Sequence, residues 1–287
     1  MKDKNSVGDC LERMGYTRTK ARQLLKLGVV VANGIRMERF DQELQKGVDV
    51  EVQKNRGYSE AVKRLGIKVM YEDDDIMVVE KPAGMLTIAS AKEKTMTLYY
   101  QLNEMMKKRN VRSRGRVFIV HRLDQDTSGL IVFAKNEEIK LRLQDRWKAV
   151  TKKYMAVAEG RMSSSEGIIT SDLKEGKSMF VRSSPGAEGA KASVTRYKVL
   201  QEIPKYSLLE VTLETGRKNQ IRVHLSEQGN PVAGDKKYGA RTNPFKRMAL
   251  HSCYIALKHP RSGKSMRFES PGPFNTLFKD SRGNAAR

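Results

Sequence analysis

The residues best equipped for chemistry lie together at His121-Arg122-Leu123-Asp124-Gln125-Asp126-Thr127-Ser128-Gly129. A carboxylate can act as a nucleophile or take up a proton, and two of them, Asp124 and Asp126, stand beside the cation Arg122. Thr127, Ser128 and Gly129 close the segment with small side chains that let a ligand's backbone come near. Apolar runs bracket it, Val117-Phe118-Ile119-Val120 before and Leu130-Ile131-Val132-Phe133-Ala134 after. A polar loop between two β-branched, aromatic-containing runs reads as side chains presented at the rim of a sheet. By residue type alone Asp124 and Asp126 are nearly equal candidates, with capping of turn amides the ordinary role for Asp126.

The chain around this loop has 287 residues, enough for a large domain and a small one. Its formal net charge of +22 points to a polyanionic partner. Residues 1–60 carry a net +3, 61–170 a net +7 and 171–287 a net +12, so the excess belongs to the body and not to a detachable basic tail. No run of eighteen apolar residues occurs, which sets aside a membrane span, and the N-terminus lacks the apolar stretch of a signal peptide. Cys10 and Cys253 are far apart, and no Cys-x-x-Cys exists. A disulfide framework and a thiolate metal site are not expected, and a reducing cytoplasm fits. His121, His224, His251 and His259 show no ligand spacing with Cys or carboxylates, so no metal is expected.

The elements that must position the loop can be read from periodicity. Val7, Leu11 and Met14 recur at helical spacing; Thr17 can cap a second helix with Ala21, Leu24 and Leu25 on its apolar face, and Gly28 stops it. Arg18, Arg22 and Lys26, four apart, share the other face. Val29 to Val31 is strand-like, Asn33-Gly34 is a turn signal, and Val48, Val50 and Val52 alternate. Residues 53–66 are polar and contain Gly57 and Gly66. Strands are expected at 68–71 and 76–80 across an acidic turn, followed by the sharp turn Lys81-Pro82-Ala83-Gly84-Met85. Leu98, Leu102, Met105 and Met106 mark a helix, and 107–116 is a basic loop. Asn136 can cap a helix carrying Ile139, Leu143 and Trp147, whose stripe reads as core. Further strands are expected at 155–158, 192–201, 206–215, 250–257 and 265–269, with one helix near Gln220 to Gln228. The fold class is α+β: a largely antiparallel mixed sheet with flanking helices, preceded by a small α/β domain. We set the small domain at 1–55, a linker at 56–66 and the main domain at 67–287.

Tyr16 to Gly34, a basic helix followed by Gly28-Val29-Val30-Val31-Ala32-Asn33-Gly34, resembles the RNA-binding module first named for ribosomal protein S-four. That resemblance implies that Arg18, Lys20, Arg22 and Lys26 meet RNA. Downstream, Lys81-Pro82-Ala83-Gly84-Met85, the nonapeptide at 121–129, Lys152-Lys153-Tyr154, TGRKNQIRVHL at 215–225, GDKKYG at 234–239, Leu250-His251-Ser252 and His259-Pro260 resemble, in order, the Rlu-type pseudouridine synthases of large-subunit ribosomal RNA. The likeness covers roughly residues 67–275.

The resemblance implies that Asp124 is the nucleophile, that Arg222 pairs with it and keeps it ionised, and that Tyr154 stacks on the uracil and assists proton removal from its carbon five. Ile221 becomes an apolar wall of the pocket. Arg122 can fill the space left by a flipped base or hold its phosphate, and Arg217 and Lys81 join the RNA-binding set. The family often has His where Asn219 stands here, and Asn cannot titrate. The reaction implied is isomerisation of uridine in RNA, most naturally large-subunit rRNA or its precursor particle, with no cofactor, by a monomer. A non-catalytic RNA-binding or ribosome-assembly protein is the competing reading, and a nucleoside glycosidase is a third.

Overall fold

The computed structural model describes residues 6–26, 29–33, 35–45, 47–52, 65–109, 115–176 and 180–278. Gly28 and Gly34, residues 53–55 at the end of the expected small domain, 56–64 of the expected linker and 110–114 of the basic loop lie outside them. The chain divides into two compact units, residues 1–68 with 88–117, and residues 69–87 with 118–287. The sequence reading runs one domain unbroken from 67, whereas residues 88–117 group with the first unit.

In the first unit, α1 (Val7–Arg13) begins at a capping box between Ser6 and Asp9, and α2 (Arg18–Lys26) begins where Thr17 Oγ1 accepts from Lys20 N. Ala21, Leu24 and Leu25 are buried as their spacing predicts. They pack with Val7 and Leu11 against Val30, Ala32 and Val50 of a three-stranded antiparallel sheet, order β2 (Ile35–Arg36), β1 (Val30–Ala32), β3 (Val50–Val52). Asn33 turns at φ 47°, a left-handed conformation that Asn tolerates. Arg18 and Arg22 lie over the Phe40 ring. Helix α3 (Leu98–Arg109) buries Leu98, Leu102, Met105 and Met106.

The second unit is an eleven-stranded sheet. Its path runs β10 (Val181–Ser183), β9 (Glu166–Glu175), β11 (Lys191–Ile203), β12 (Tyr206–Leu213), β8 (Thr151–Glu159), β13 (Leu250–Lys258), β7 (Ser128–Ala134), β5 (Ile76–Lys81), β4 (Lys68–Glu72). β14 (Ser265–Glu269) pairs with β13 and β6 (Phe118–Ile119) with β7. The pairings whose register is known are antiparallel except β7 with β13, which run parallel. Every residue of β7 is buried, as an unbroken apolar run in a central strand requires. Helix α4 (Glu137–Asp145) starts at Asn136, whose side chain accepts from Ile139 N, and packs Ile139 and Leu143 into the core. It ends before Trp147, which sits instead on a 3-10 turn and stacks on His121 at 4.4 Å. Strands β9 and β10 have no counterpart in the sequence reading; the inner face of β9 mixes Gly167 and Ser171 with the buried Ile169 and Leu173, and its outer face exposes Ile168, so the letters carry little alternation. Helix α5 (Gln220–Glu227) buries six consecutive residues, Gln220 to Leu225.

The turn from β4 to β5 is clasped to the turn from β13 to β14. Arg261 grips Asp75 through Nε at 2.7 Å and Nη2 at 2.6 Å, and His259 Nε2 lies 3.0 Å from Asp73. Asp73 also accepts from Asp75 N, Ile76 N and the Tyr71 hydroxyl.

Candidate active site

The loop between β6 and β7 is pinned on both sides of Asp124. His121 Nε2 accepts from Val132 N at 2.9 Å, and burial, with the Lys152 charge, lowers its pKa to about 3, so it is the neutral acceptor this bond needs. Thr87 Oγ1 bonds both the N–H and the carbonyl of Leu123. Past Asp124, the Gln125 carbonyl accepts from Lys81 Nζ at 2.9 Å, and Thr127 N donates to the Asp124 carbonyl. Gly129 then enters β7 at φ 109°, beside the β13 backbone. A Cβ there would fall 2.2 Å from the Ser252 carbonyl oxygen, so only glycine permits this parallel approach.

Asp124 thereby faces a pocket whose lining includes Arg122, Tyr154, Ile221 and Arg222, contributed by the loop, β8 and α5. Gln220 anchors α5, accepting from Arg217 N and Thr215 Oγ1 and donating to Val194 and Thr195. Asp124 keeps 23% side-chain exposure, and its Oδ2 lies 3.7 Å from Arg222 Nη1. Burial raises its pKa, and the charges of Arg222, Arg122, Lys218 and Lys81 only partly oppose this. The Tyr154 hydroxyl is pushed up by burial and by the Asp124 charge, so it stays protonated. Ile221 is 4% exposed and forms an apolar wall.

Several expectations change. Arg222 is expected to pair with Asp124 and hold it ionised, but its main partner is Asp235. Nε and Nη2 reach that carboxylate at 2.6 and 2.8 Å, and Asp124's pKa moves up rather than down. Lys81 is placed in the RNA-binding set by its motif, yet it is 0% exposed and its Nζ bonds the carbonyls of Pro82, Met85 and Gln125. Burial brings its pKa down to about 7, against the charges of Asp126 and Asp124. It ties the loop together and cannot meet RNA. Asp126 is exposed and lines an adjoining groove with Lys236, Lys237 and Arg247. Arg122 and Arg217 are exposed at the pocket, with Arg217 Nε on the Ala192 carbonyl. In the first unit Arg18, Arg22 and Lys26 are exposed and Lys20 half-buried.

Sequence reasoning misses the supports of Arg222. Asn219, at φ 55°, donates to the Tyr238 hydroxyl and accepts from Arg222 Nη1, and the guanidinium lies over the Tyr238 ring at 4.8 Å. It also misses a buried hydrogen-bonded chain at the root of the loop, in which His251 joins Ser128 to Ser270, and Ser270 donates to Glu80. The motifs Gly-Asp-Lys-Lys-Tyr-Gly and Leu-His-Ser contain Asp235, Tyr238 and His251 but give no hint of their partners. Among the described residues no group of three His, Cys, Asp or Glu could hold a metal ion, and no helix is long and apolar enough to cross a membrane.

Residues 75–227 match the RNA pseudouridylate synthase family. The chain is 36% identical over 271 residues to the RNA pseudouridine synthase YlyB of Bacillus subtilis, covering 90% of this chain and 86% of that protein. It is 34% identical over 229 residues to the ribosomal large subunit pseudouridine synthase D of Pseudomonas aeruginosa, covering 74% and 70%. The solved structure of human RNA pseudouridylate synthase domain containing 1 superimposes with a TM-score of 0.60 at 27% identity, over 74% of this chain and 86% of that one. A pocket-facing carboxylate, a sheet of the same fold and these relatives together show that the chain belongs to the RNA pseudouridylate synthase family.

Proposed function

We propose that this pseudouridine synthase acts on one or more uridines of large-subunit ribosomal RNA, with Asp124 as the group that attacks the sugar. The observation that carries this reading is the meeting of Asp124, Tyr154, Ile221 and Arg222, distant in sequence, around one pocket. The reaction breaks the bond from the sugar's anomeric carbon to N1 of uracil and makes a bond from the same carbon to C5. The C5 proton is lost and N1 gains one, so atoms and electrons balance without an oxidant, reductant or group donor. Asp124 serves either by adding to the anomeric carbon or by removing a neighbouring sugar proton. Its raised pKa suits both, because a carboxylate that is poorly stabilised as an anion is the stronger base and nucleophile.

The detached uracil must turn over without escaping, which calls for walls that exclude water. Tyr154 and Ile221 supply them, and the protonated Tyr154 ring offers a stacking face. A uridine inside folded RNA must leave its stack first, at a few kcal/mol. Exposed Arg122, next to Asp124, is placed to hold its phosphate or to occupy the gap. The cations of α2 resemble the RNA-binding face of an S-four-like module and add affinity outside the pocket.

The test uses large-subunit rRNA transcribed in vitro with tritium at uridine C5. Incubation with the full chain releases tritium to water and leaves the uracil attached, and the new pseudouridines map to sites missing from rRNA of a deletion strain. Binding without tritium release, on both naked rRNA and unmodified subunits, rules the reading out. Free uracil would mark a glycosidase.

A further inference from the structure

Arg222 serves two carboxylates unequally. Asp235, 2% exposed at its side chain, takes Nε–H and an Nη2–H at 2.6 and 2.8 Å, the two-pronged geometry of a strong charge-assisted pair. Asn219 Oδ1 takes an Nη1–H at 2.9 Å, and the Tyr238 ring lies beneath the guanidinium. What remains for Asp124 is an approach of 3.7 Å, beyond hydrogen-bond length. Burial works against Arg222's charge, but the Asp235 bond and charge, with that of Asp124, hold its pKa above the ordinary value.

The other cations facing Asp124 are also engaged elsewhere or open to water. Lys81, from β5, is bound to three carbonyls. Lys218, from the turn ahead of α5, pairs with Glu175. Arg122, on Asp124's own loop, is exposed. Tyr154 from β8 faces it as an uncharged phenol, and Asp126 and Arg247 stand along the adjoining groove.

We propose that Asp235 is a positioning residue that withholds Arg222 from Asp124, so that the reacting carboxylate is oriented by a nearby cation without being neutralised in a tight pair. This rests on the reading of Asp124 as the reacting group. A tight bidentate pair would lower the carboxylate's basicity and would have to be broken in every turnover. With Asp235 and Asn219 occupying three of the five N–H bonds, the guanidinium is fixed in plane and direction, and only its free edge is turned to Asp124.

The experiment compares Asp235→Asn with wild type in single turnovers on saturating, tritium-labelled large-subunit rRNA across pH. Releasing Arg222 lets it close on Asp124. The plateau rate then falls about tenfold or more, and the acid limb moves to lower pH. A crystal structure of the variant places Arg222 within hydrogen-bond length of Asp124. A fallen plateau with an unmoved or raised acid limb would mean mere structural support. A shifted limb with an unchanged plateau would mean only the loss of a nearby negative charge. Either result overturns the proposal.

A second measurement does not depend on the variant's folding or on the choice of RNA. The Asp124 carboxyl carbon of the wild-type chain, labelled with carbon-13 and assigned with Asp124→Asn, should titrate above the ordinary carboxylate range. Titration below that range overturns the proposal even if Asp235→Asn cannot be purified. Wild-type inactivity on the rRNA would instead count against the proposed substrate.

Discussion

Two places in the second unit bring carboxylates together with cations out of full solvent, and they are built on opposite terms. At the clasp, Asp75 has both oxygens on Arg261, and Asp73 is met by two backbone N–H groups, a tyrosine hydroxyl and His259. At the pocket, Asp124 has one cation at 3.7 Å, already claimed by another acid. The consequences for ionisation are opposite. Arg261's hydrogen bond outweighs desolvation at Asp75 and lowers its pKa. At Asp73 desolvation is the largest single influence, but its many donors together overcome it and the pKa also falls. At Asp124 desolvation wins and the pKa rises. A saturated carboxylate uses its charge to hold two turns together. An under-saturated one keeps its charge available for a reaction, and the fold is less stable for it.

The sharpest way to break this contrast is Asp124→Asn. The change is nearly isosteric and removes the basic oxygen, so tritium release from rRNA should fall about 10³-fold or more while RNA binding survives. The same variant should unfold no earlier than wild type at pH 7. The sign follows from linkage: with the folded pKa above the unfolded one, the ionised form destabilises the fold at neutral pH, and that burden lifts as pH falls through the folded value. Any stability gained by Asn is therefore present at pH 7 and absent near pH 3, which urea unfolding at the two pH values reads directly. Full turnover by this variant, or a large loss of stability, would end the distinction between the two clusters.

Asp75→Asn should do the reverse. It should cost about 1–3 kcal/mol of stability at pH 7 and leave the single-turnover rate within about twofold of wild type. Here the folded pKa lies below the unfolded one. The contribution is full above about pH 4, near the ordinary aspartate value, and is lost as pH falls through the depressed folded value. The gap between variant and wild type in urea should accordingly close in acid. A variant that folds as well as wild type but turns over slowly would tie the clasp to catalysis and erase the comparison.

How much of this is legible in the sequence depends on whether the signal is local. Strand β7 and the loop before it announce themselves, because an apolar run fully buried in a central strand needs no partner to be recognised. The meeting of Asp124 with Tyr154 and Arg222 is not local. No periodicity connects residues so far apart, and only the ordered set of motifs brings them together. Lys81 is misread because a lysine before Pro-Ala-Gly looks like a surface turn; nothing in those letters says that three carbonyls turn inward to receive it. Asp235 is overlooked for the same reason. An acid between glycine and two lysines reads as a solvated turn, and its task emerges only when α5 delivers Arg222 beside it. Trp147 lies past the end of its helix, where the four-residue rhythm continues in the letters after the backbone has changed course.

The cations of α2 offer a third arrangement, charge that is neither saturated nor buried, and they extend the comparison to its weakest member. Arg18 pairs with Glu12 at 3.0 Å, but with side-chain exposures of 73% and 39% such a pair contributes little to stability. Replacing Arg18, Arg22 and Lys26 together by alanine should therefore change stability by no more than about 1–2 kcal/mol, mostly because the two arginines no longer cover the Phe40 ring. Its effect should show in binding. If these side chains meet phosphates, affinity for large-subunit rRNA falls severalfold at physiological salt. The slope of log affinity against log salt shrinks by roughly 0.7–0.9 for each phosphate no longer neutralised. The rate on RNA already bound should not change, since none of the three lines the pocket. An unaltered salt slope would show that this face carries charge for solubility alone and leave RNA recognition to the basic groove beside Asp124.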